Sequence, residues 1–299
     1  MRGLVIRTQS GFYTVETATG AFACRLRGRL KKGARRGDVL AVGDWVEFTP
    51  LEANTGVIEQ IEPRQRLFSR MSPDPKGLYE QILIANPDQI ALVFACAQPA
   101  PHFGMLDRFL VIAEKQGTPA CIVANKTDLV KADHAFALFS RYTQLGYPVF
   151  YTSAQNSSGV DELCAALRDK ITLFTGPSGV GKSSLLNAIQ PGLGLQVRQV
   201  SQVTSKGRHA TVVRELYPLD GGGYVADTPG LKALALWDIE GEELDAYFRE
   251  LRELVPKCHF SDCTHVHEPG CAVLEAVEAG QIHPERYQSY LRMRYGEQE

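Results

Sequence analysis

Two stretches of this chain carry nucleotide chemistry. Residues 171–189, ITLFTGPSGVGKSSLLNAI, read as a strand, a loop in the pattern G-x-x-x-x-G-K-S and a helix beginning at the lysine. Gly176, Pro177, Ser178, Gly179, Val180, Gly181, Lys182, Ser183 and Ser184 form the candidate phosphate site. Glycines let backbone N–H groups curl round a β-phosphate, the helix start adds its positive end, and Lys182 can bridge the β- and γ-phosphates. Ser183 is placed to hold Mg²⁺. The second stretch is CIVANKTDLV, 121–130. Asp128 can accept both the N1 and N2 protons of guanine, Asn125 offers an amide, and Lys126 would lay its stem along the loop. In YTSAQ, Ser153 and Ala154 follow a strand and would supply a backbone amide to the guanine O6. In YVADTPG, the Asp227 carboxylate would hold a metal-bound water while the Gly230 amide meets the γ-phosphate. Each motif stands at a strand end, and the set points to GTP with Mg²⁺.

Their order is unusual. The base motifs precede the phosphate loop, as if a GTPase domain had been cut between its phosphate half and its base half and rejoined the other way round. Such a cut is tolerable because domain termini tend to lie close together. The elements that must position these residues fall in three zones. Residues 1 to about 70 alternate short β-type runs (GLVIRT, GFYTVET, AFACRL, DWVEFTP, TGVIEQI) with turns, the spacing of a small β-barrel without a strong helix. From about 78 to 235, apolar strands (QIALVFACA, ACIVANK, VFYTSA, ITLFTG, GYVADT) alternate with amphipathic helices such as MLDRFLVIAEKQG and ADHAFALFSRYTQLG, a parallel α/β rhythm. Beyond 236 the pattern gives a helix over EELDAYFRELREL, a Cys/His cluster and two further helical stretches. The expected fold is therefore multidomain: a small β-barrel over 1–72, a circularly permuted α/β P-loop GTPase domain over 73–235 and a helical zinc-binding domain over 236–299.

Composition excludes other classes. Hydrophobic residues at 44% and charged residues at 22% suit a globular chain of two or three domains rather than a disordered one. The longest apolar run, IALVFACA, is far short of a membrane span, so a cytoplasmic protein without a membrane partner is expected. Seven cysteines, three of them between 258 and 271, favour a metal site in a reducing compartment over a disulfide framework. Cys258, Cys263, His265 and Cys271 stand in C-x4-C-x-H-x5-C spacing, with His259 and His267 as rival imidazoles. Three thiolates and one imidazole make a closed tetrahedral zinc shell of structural type. The net charge of −2 gives no global pull toward nucleic acid, but RLRGRLKKGARR, 25–36, holds seven Lys/Arg and no acid on a barrel strand and its loop. RNA contact or a merely solvated loop are the two readings. The last helix, PERYQSYLRMRY, mixes Arg286, Arg292 and Arg294 with Tyr287, Tyr290 and Tyr295, which suits RNA contact and helix packing equally.

The motifs NPDQIALVFA, LDRFL, NKTDL, GPSGVGKSSLLN, SKGRH, DTPG and CHFSDCTHVHEPGC resemble, over nearly the whole chain, those of the RsgA family of circularly permuted GTPases. The resemblance implies an OB-type β-barrel over 1–72, GTP hydrolysis to GDP and phosphate stimulated by the small ribosomal subunit, release of the factor on hydrolysis late in subunit maturation, and contact with rRNA. It favours His265 as the fourth zinc ligand. Where the family usually runs His-Thr-Thr-Thr this chain has HATV, leaving Thr211 as the switch threonine for Mg²⁺. The position after Asp-x-x-Gly, often a water-orienting Gln in GTPases, is Leu231, which cannot hydrogen-bond water. His209, beside Thr211, is the available group for that task, and the resemblance points to it too. A monomer is expected. The rival from another class is a nucleotide-gated RNA-binding module whose hydrolysis is incidental.

Overall fold

The computed structural model describes residues 1–31, 38–71, 80–195, 214–227 and 239–296. Five strands come first: β1 (Arg2–Gln9), β2 (Phe12–Thr17), β3 (Gly20–Leu26), β4 (Trp45–Pro50) and β5 (Thr55–Ile61). Their pairing runs β1-β2-β3-β5-β4, and β4 returns to β1, so the barrel closes. These are the five runs legible in the sequence. Alternation sends Val5, Val15, Cys24, Val46, Phe48 and Ile58 inward to fill it. Gly56 on β5 is needed there, because a Cβ would come within 2.7 Å of the Phe48 ring and 2.9 Å of the Cys24 sulfur.

A hairpin of β6 (Leu67–Met71) and β7 (Glu80–Ala85) leads out of the barrel. It was not legible in the sequence. The nucleotide domain follows as β8 (Gln89–Ala95), α1 (Phe103–Lys115), β9 (Ala120–Asn125), α2 (Ala132–Gln144), β10 (Val149–Tyr151), α3 (Val160–Leu167), β11 (Ile171–Thr175), α4 (Lys182–Ile189), β12 (Arg214–Pro218) and β13 (Tyr224–Asp227). The strand order is β10-β9-β8-β11-β13-β12, with all neighbours parallel except β12 against β13. Every residue of β8 and β9 is buried, which explains why both read as unbroken apolar runs rather than alternating ones. The strand carrying the phosphate loop, β11, is central, so four nucleotide motifs leave the C-terminal ends of neighbouring strands at one edge, where open α/β sheets bind ligands.

The C-terminal part departs from expectation in one place. The helix expected across 242–254 is instead a 3₁₀ run, Gly241–Tyr247, and a single helical turn, α5 (Arg249–Arg252). The break falls at Phe248, whose backbone is extended (φ −96°, ψ 110°) and whose ring is fully buried, edge-on to Tyr290 at 5.6 Å. Burying that ring outweighs helical propensity, which is worth only tenths of a kcal/mol per residue, about 0.7 at most for ordinary residues. Two helices follow, α6 (Ala272–Glu278) and α7 (Pro284–Tyr295).

Candidate functional site

The phosphate loop is shaped by its glycines. Gly176 (φ +144°) lies so near β8 that a Cβ would stand 2.1 Å from the Val93 carbonyl oxygen, and one on Gly181 (φ +93°) would meet the Asn125 amide at 2.6 Å. No other residue fits either position. Lys182 folds back over the loop and donates to the Gly176 and Pro177 carbonyls, both at 2.8 Å, with its side chain nearly buried. Burial pulls its pKa below the ordinary lysine value, opposed by the charge of Asp227.

Asp227, the last residue of β13, accepts from the Ser183 hydroxyl at 3.3 Å through Oδ2. Its Oδ1 is buried with no hydrogen-bond partner among the described residues. Burial raises the Asp227 pKa, with Lys182 and the Ser183 hydrogen bond acting against it. A desolvated carboxylate oxygen without a donor, beside a serine hydroxyl, suits a hard, oxygen-seeking divalent cation.

The base motif sits against this loop. Asn125 is buried and donates through Nδ2 to the Val180 carbonyl at 2.9 Å, while its Oδ1 accepts from Thr152 Oγ1 at 3.1 Å. Its amide therefore fastens the two halves of the permuted domain together as well as flanking the base position. Lys126, in left-handed backbone conformation, donates to the Gly179 carbonyl at 2.6 Å and to the Gln98 carbonyl. Asp128 is exposed, and Ser153 Oγ donates to its Oδ1 at 2.5 Å, holding the carboxylate in place. The Ser153 N–H is occupied by the Ser158 carbonyl at 2.9 Å. Of the two residues singled out for the O6 contact, Ser153 thus has its amide engaged within the protein. Thr152, one residue before them, was not singled out, although its place between the two base motifs was the available signal.

Cys258, Cys263, His265 and Cys271 converge, with all four ligand atoms within 4.8 Å of one another. His265 Nδ1 lies 3.7 Å from Cys258 Sγ and 3.4 Å from Cys271 Sγ, and the two sulfurs are 4.0 Å apart. Metal–ligand bonds of about 2.3 Å to sulfur and 2.1 Å to nitrogen give tetrahedron edges of roughly 3.6–3.8 Å, so this donor set fits one ion. His259 and His267 are not in the cluster. Asp245 was not legible as part of the site; its Oδ2 stands 3.2 Å from His265 Nε2 and fixes the ring. The Tyr287 hydroxyl donates to the His265 carbonyl at 2.6 Å.

The arginines of the other candidate surfaces separate. Arg286 is buried and spans two domains, donating to Asp107 on α1 at 2.7 Å and to both Glu250 oxygens at 2.6 and 3.1 Å. Tyr287 and Tyr290 are buried too, so this face of α7 packs. In the basic segment, Arg27 and Arg29 both reach Glu59, at 2.8 and 3.5 Å, and the Arg25 guanidinium lies 4.4 Å above the exposed Phe12 ring. His209, Thr211 and Gly230 lie outside the described residues, as do 32–37 of the basic segment.

Comparison with known proteins agrees with this geometry. The RsgA N-terminal domain family matches residues 2–58 and the RsgA GTPase family residues 61–237. A small ribosomal subunit biogenesis GTPase RsgA of Gemmatimonas aurantiaca is 47% identical, over 98% of this chain and 96% of that protein. Its namesake from Moorella thermoacetica is 44% identical over 97% and 95%. Among solved structures, YjeQ from Thermotoga maritima superposes with a TM-score of 0.81 at 40% identity, covering 99% of this chain and 97% of the other. YloQ, a circularly permuted GTPase, gives 0.74 at 34% identity, covering 99% and 94%. With a family match over more than half its length and such relatives across nearly all of it, the chain belongs to the RsgA GTPase family.

Proposed function

We propose that this chain is a GTPase of small ribosomal subunit biogenesis, which hydrolyses GTP to GDP and phosphate when the subunit stimulates it and leaves on hydrolysis. The observation that carries the reading is the junction of base and phosphate motifs, in which Asn125 meets Val180 at 2.9 Å and Ser153 holds Asp128 at 2.5 Å. A guanine at Asp128 and phosphates at Lys182 are then served by one rigid edge. The relatives named for this role cover the same length of chain.

In this reading Asp128 and the Ala154 amide read the base, and the loop amides from Gly176 to Ser184 hold the phosphates. On binding, Lys182 exchanges its two carbonyl partners for phosphate oxygens. Ser183 and Asp227 would hold Mg²⁺, with Thr211 as a further ligand, and the ion would supply neutralisation of charge on the β- and γ-oxygens. Gly230 contributes its amide at the γ-phosphate. His209 orients the attacking water, the task Leu231 cannot perform. Cys258, Cys263, His265 and Cys271 would hold Zn²⁺ in a closed shell whose role is structural.

The division into 1–72, 73–235 and 236–299 belongs to the same proposal, with the β6–β7 hairpin joining across residue 72. So do a monomeric state and work in the cytoplasm; among the described residues no helix is long and apolar enough to cross a membrane. RNA contact by the barrel rests on Arg25 with Phe12 and on the rest of the basic segment, since Arg27 and Arg29 are held by Glu59.

Single-turnover GTP hydrolysis with and without purified small subunits tests the reading. Acceleration by orders of magnitude is expected. Subunit binding that depends on a non-hydrolysable GTP analogue, without acceleration, would instead make the chain a nucleotide-gated RNA-binding module.

A further inference from the structure

The barrel and the nucleotide sheet join through a short seam. β1 pairs antiparallel with β12, Arg7 opposite Glu215 and Thr8 opposite Arg214, just past an irregularity in β1 between Val5 and Arg7. On its other side β12 pairs with β13, whose last residue is Asp227. Among the described residues, two side-chain links cross from the barrel to this same hairpin. Arg7 stands 3.8 Å from Glu215, a solvent-screened pair of little strength. The Tyr224 hydroxyl donates to Glu16 on β2 at 2.7 Å, in a partly buried setting. Burial, then the hydrogen bond to Glu16, pushes the Tyr224 phenol up to about 12, so it stays a donor at neutral pH.

Beside the seam, a cleft of about 450 Å³ lies between the barrel and the starts of β11 and β13, lined by Arg2, Trp45, Asn86, Lys170 and Tyr224 among others. The barrel is also held at the end of β7, where the Ala85 N–H donates to the Val42 carbonyl at 2.9 Å and Asn86 Nδ2 to the Gly43 carbonyl at 3.0 Å, while the Tyr224–Glu16 bond ties it to β13 itself. Tyr224 opens β13 and Asp227 closes it, in register with Ile171 and Phe174 of β11. Because β13 has only four residues, the bond to Glu16 at its first residue and the carboxylate at its last belong to one short ladder.

We propose that Tyr224 and Glu16 are positioning residues for GTP hydrolysis, transmitting the seating of the barrel on RNA through β13 to the Asp227 carboxylate. The inference rests on the subunit-stimulated activity proposed above.

The test uses the full chain with Tyr224→Phe, Glu16→Gln and both together. Each single variant should lower subunit-stimulated kcat about tenfold, in the range of couplings carried by packed elements. KM for GTP, unstimulated turnover and subunit affinity should stay at parent values. Because the residues act as one unit, the double variant should be no slower than either single one. Unchanged stimulated kcat in both single variants overturns the proposal. So does a rate loss matched by lost subunit binding, which makes Glu16 part of the RNA contact. Losses that multiply in the double variant and follow a falling Tm would mean general weakening and likewise overturn it. A parent chain that subunits do not stimulate is a separate outcome, overturning the activity on which the inference rests.

Discussion

At the scale of single residues, the site divides into groups that read the nucleotide and groups that hold the readers. The proposed function puts Asp128 in the first kind, exposed at the site edge with one oxygen fixed by Ser153. Replacing it with Asn should shift preference from guanine to xanthine, because xanthine offers a carbonyl where guanine offers N2 protons. GTP affinity should fall by several kcal/mol, roughly the cost of leaving polar groups of the base and the site unpaired. Competition binding with GTP and xanthosine triphosphate measures it, and full GTP affinity in the variant would remove Asp128 from base reading. For His209→Ala, the loss should be confined to the transition state: subunit-stimulated turnover down about a hundredfold with GTP affinity nearly unchanged. An unaltered stimulated rate eliminates His209 as the water-positioning group, and weakened subunit binding with normal chemistry reassigns it to RNA.

At the scale of elements, legibility followed burial. Strands buried on both faces announced themselves as apolar runs, and β8, β9, β11 and β13 stand where the sequence placed them. β12 did not, because RELYP is short and polar, and it becomes a strand by pairing on both sides. The β6–β7 hairpin was hidden for a similar reason. The helix across 242–254 was misjudged because its pattern is helical while the burial of Phe248 is tertiary. The glycine-shaped loop at 176–184 and the convergence of Cys258, Cys263, His265 and Cys271 were readable from loop chemistry. Their supports, Thr152 and Asp245, were not, since hydroxyls and carboxylates carry no periodic signal.

The metal module belongs to this scale. Three cysteines, His265 and its supports Asp245 and Tyr287 tie the 3₁₀ run and α7 into one unit. With Zn²⁺ held as proposed, replacing Cys263 by Ser would weaken a shell whose binding energy is folding energy. The expected outcome is loss of bound metal by elemental analysis, faster proteolysis beyond residue 240, weaker subunit binding and intact GTP binding. Equal metal content in variant and parent would show that Cys263 is not a ligand.

For the whole molecule, neighbouring residues on α7 face different duties. Arg286 reaches Asp107 and Glu250, while Tyr287 reaches the metal loop. The arginine is thus spent on interdomain packing. It had been an open candidate for RNA contact because sequence shows charge but not the partners that bury it. Removing one member of such a buried ion network typically costs about 3–5 kcal/mol.

The β1–β12 seam has a further consequence, for solubility. A sheet ends wherever a strand leaves its N–H and C=O groups unpaired, and such edges recruit other chains. At one border of the nucleotide sheet, β10 has only three residues and offers little to recruit. At the other, the barrel's own β1 pairs with Arg214 and Glu215, the first two residues of β12. Cutting away residues 1–60 should therefore strip that cover and leave a truncated chain that self-associates at concentrations where the intact protein stays dispersed. Light scattering and sedimentation of the two side by side would show it, and a monodisperse truncation would mean that β12 protects itself. Self-association of the truncated chain would make the barrel an edge guard for the nucleotide domain as well as its neighbour.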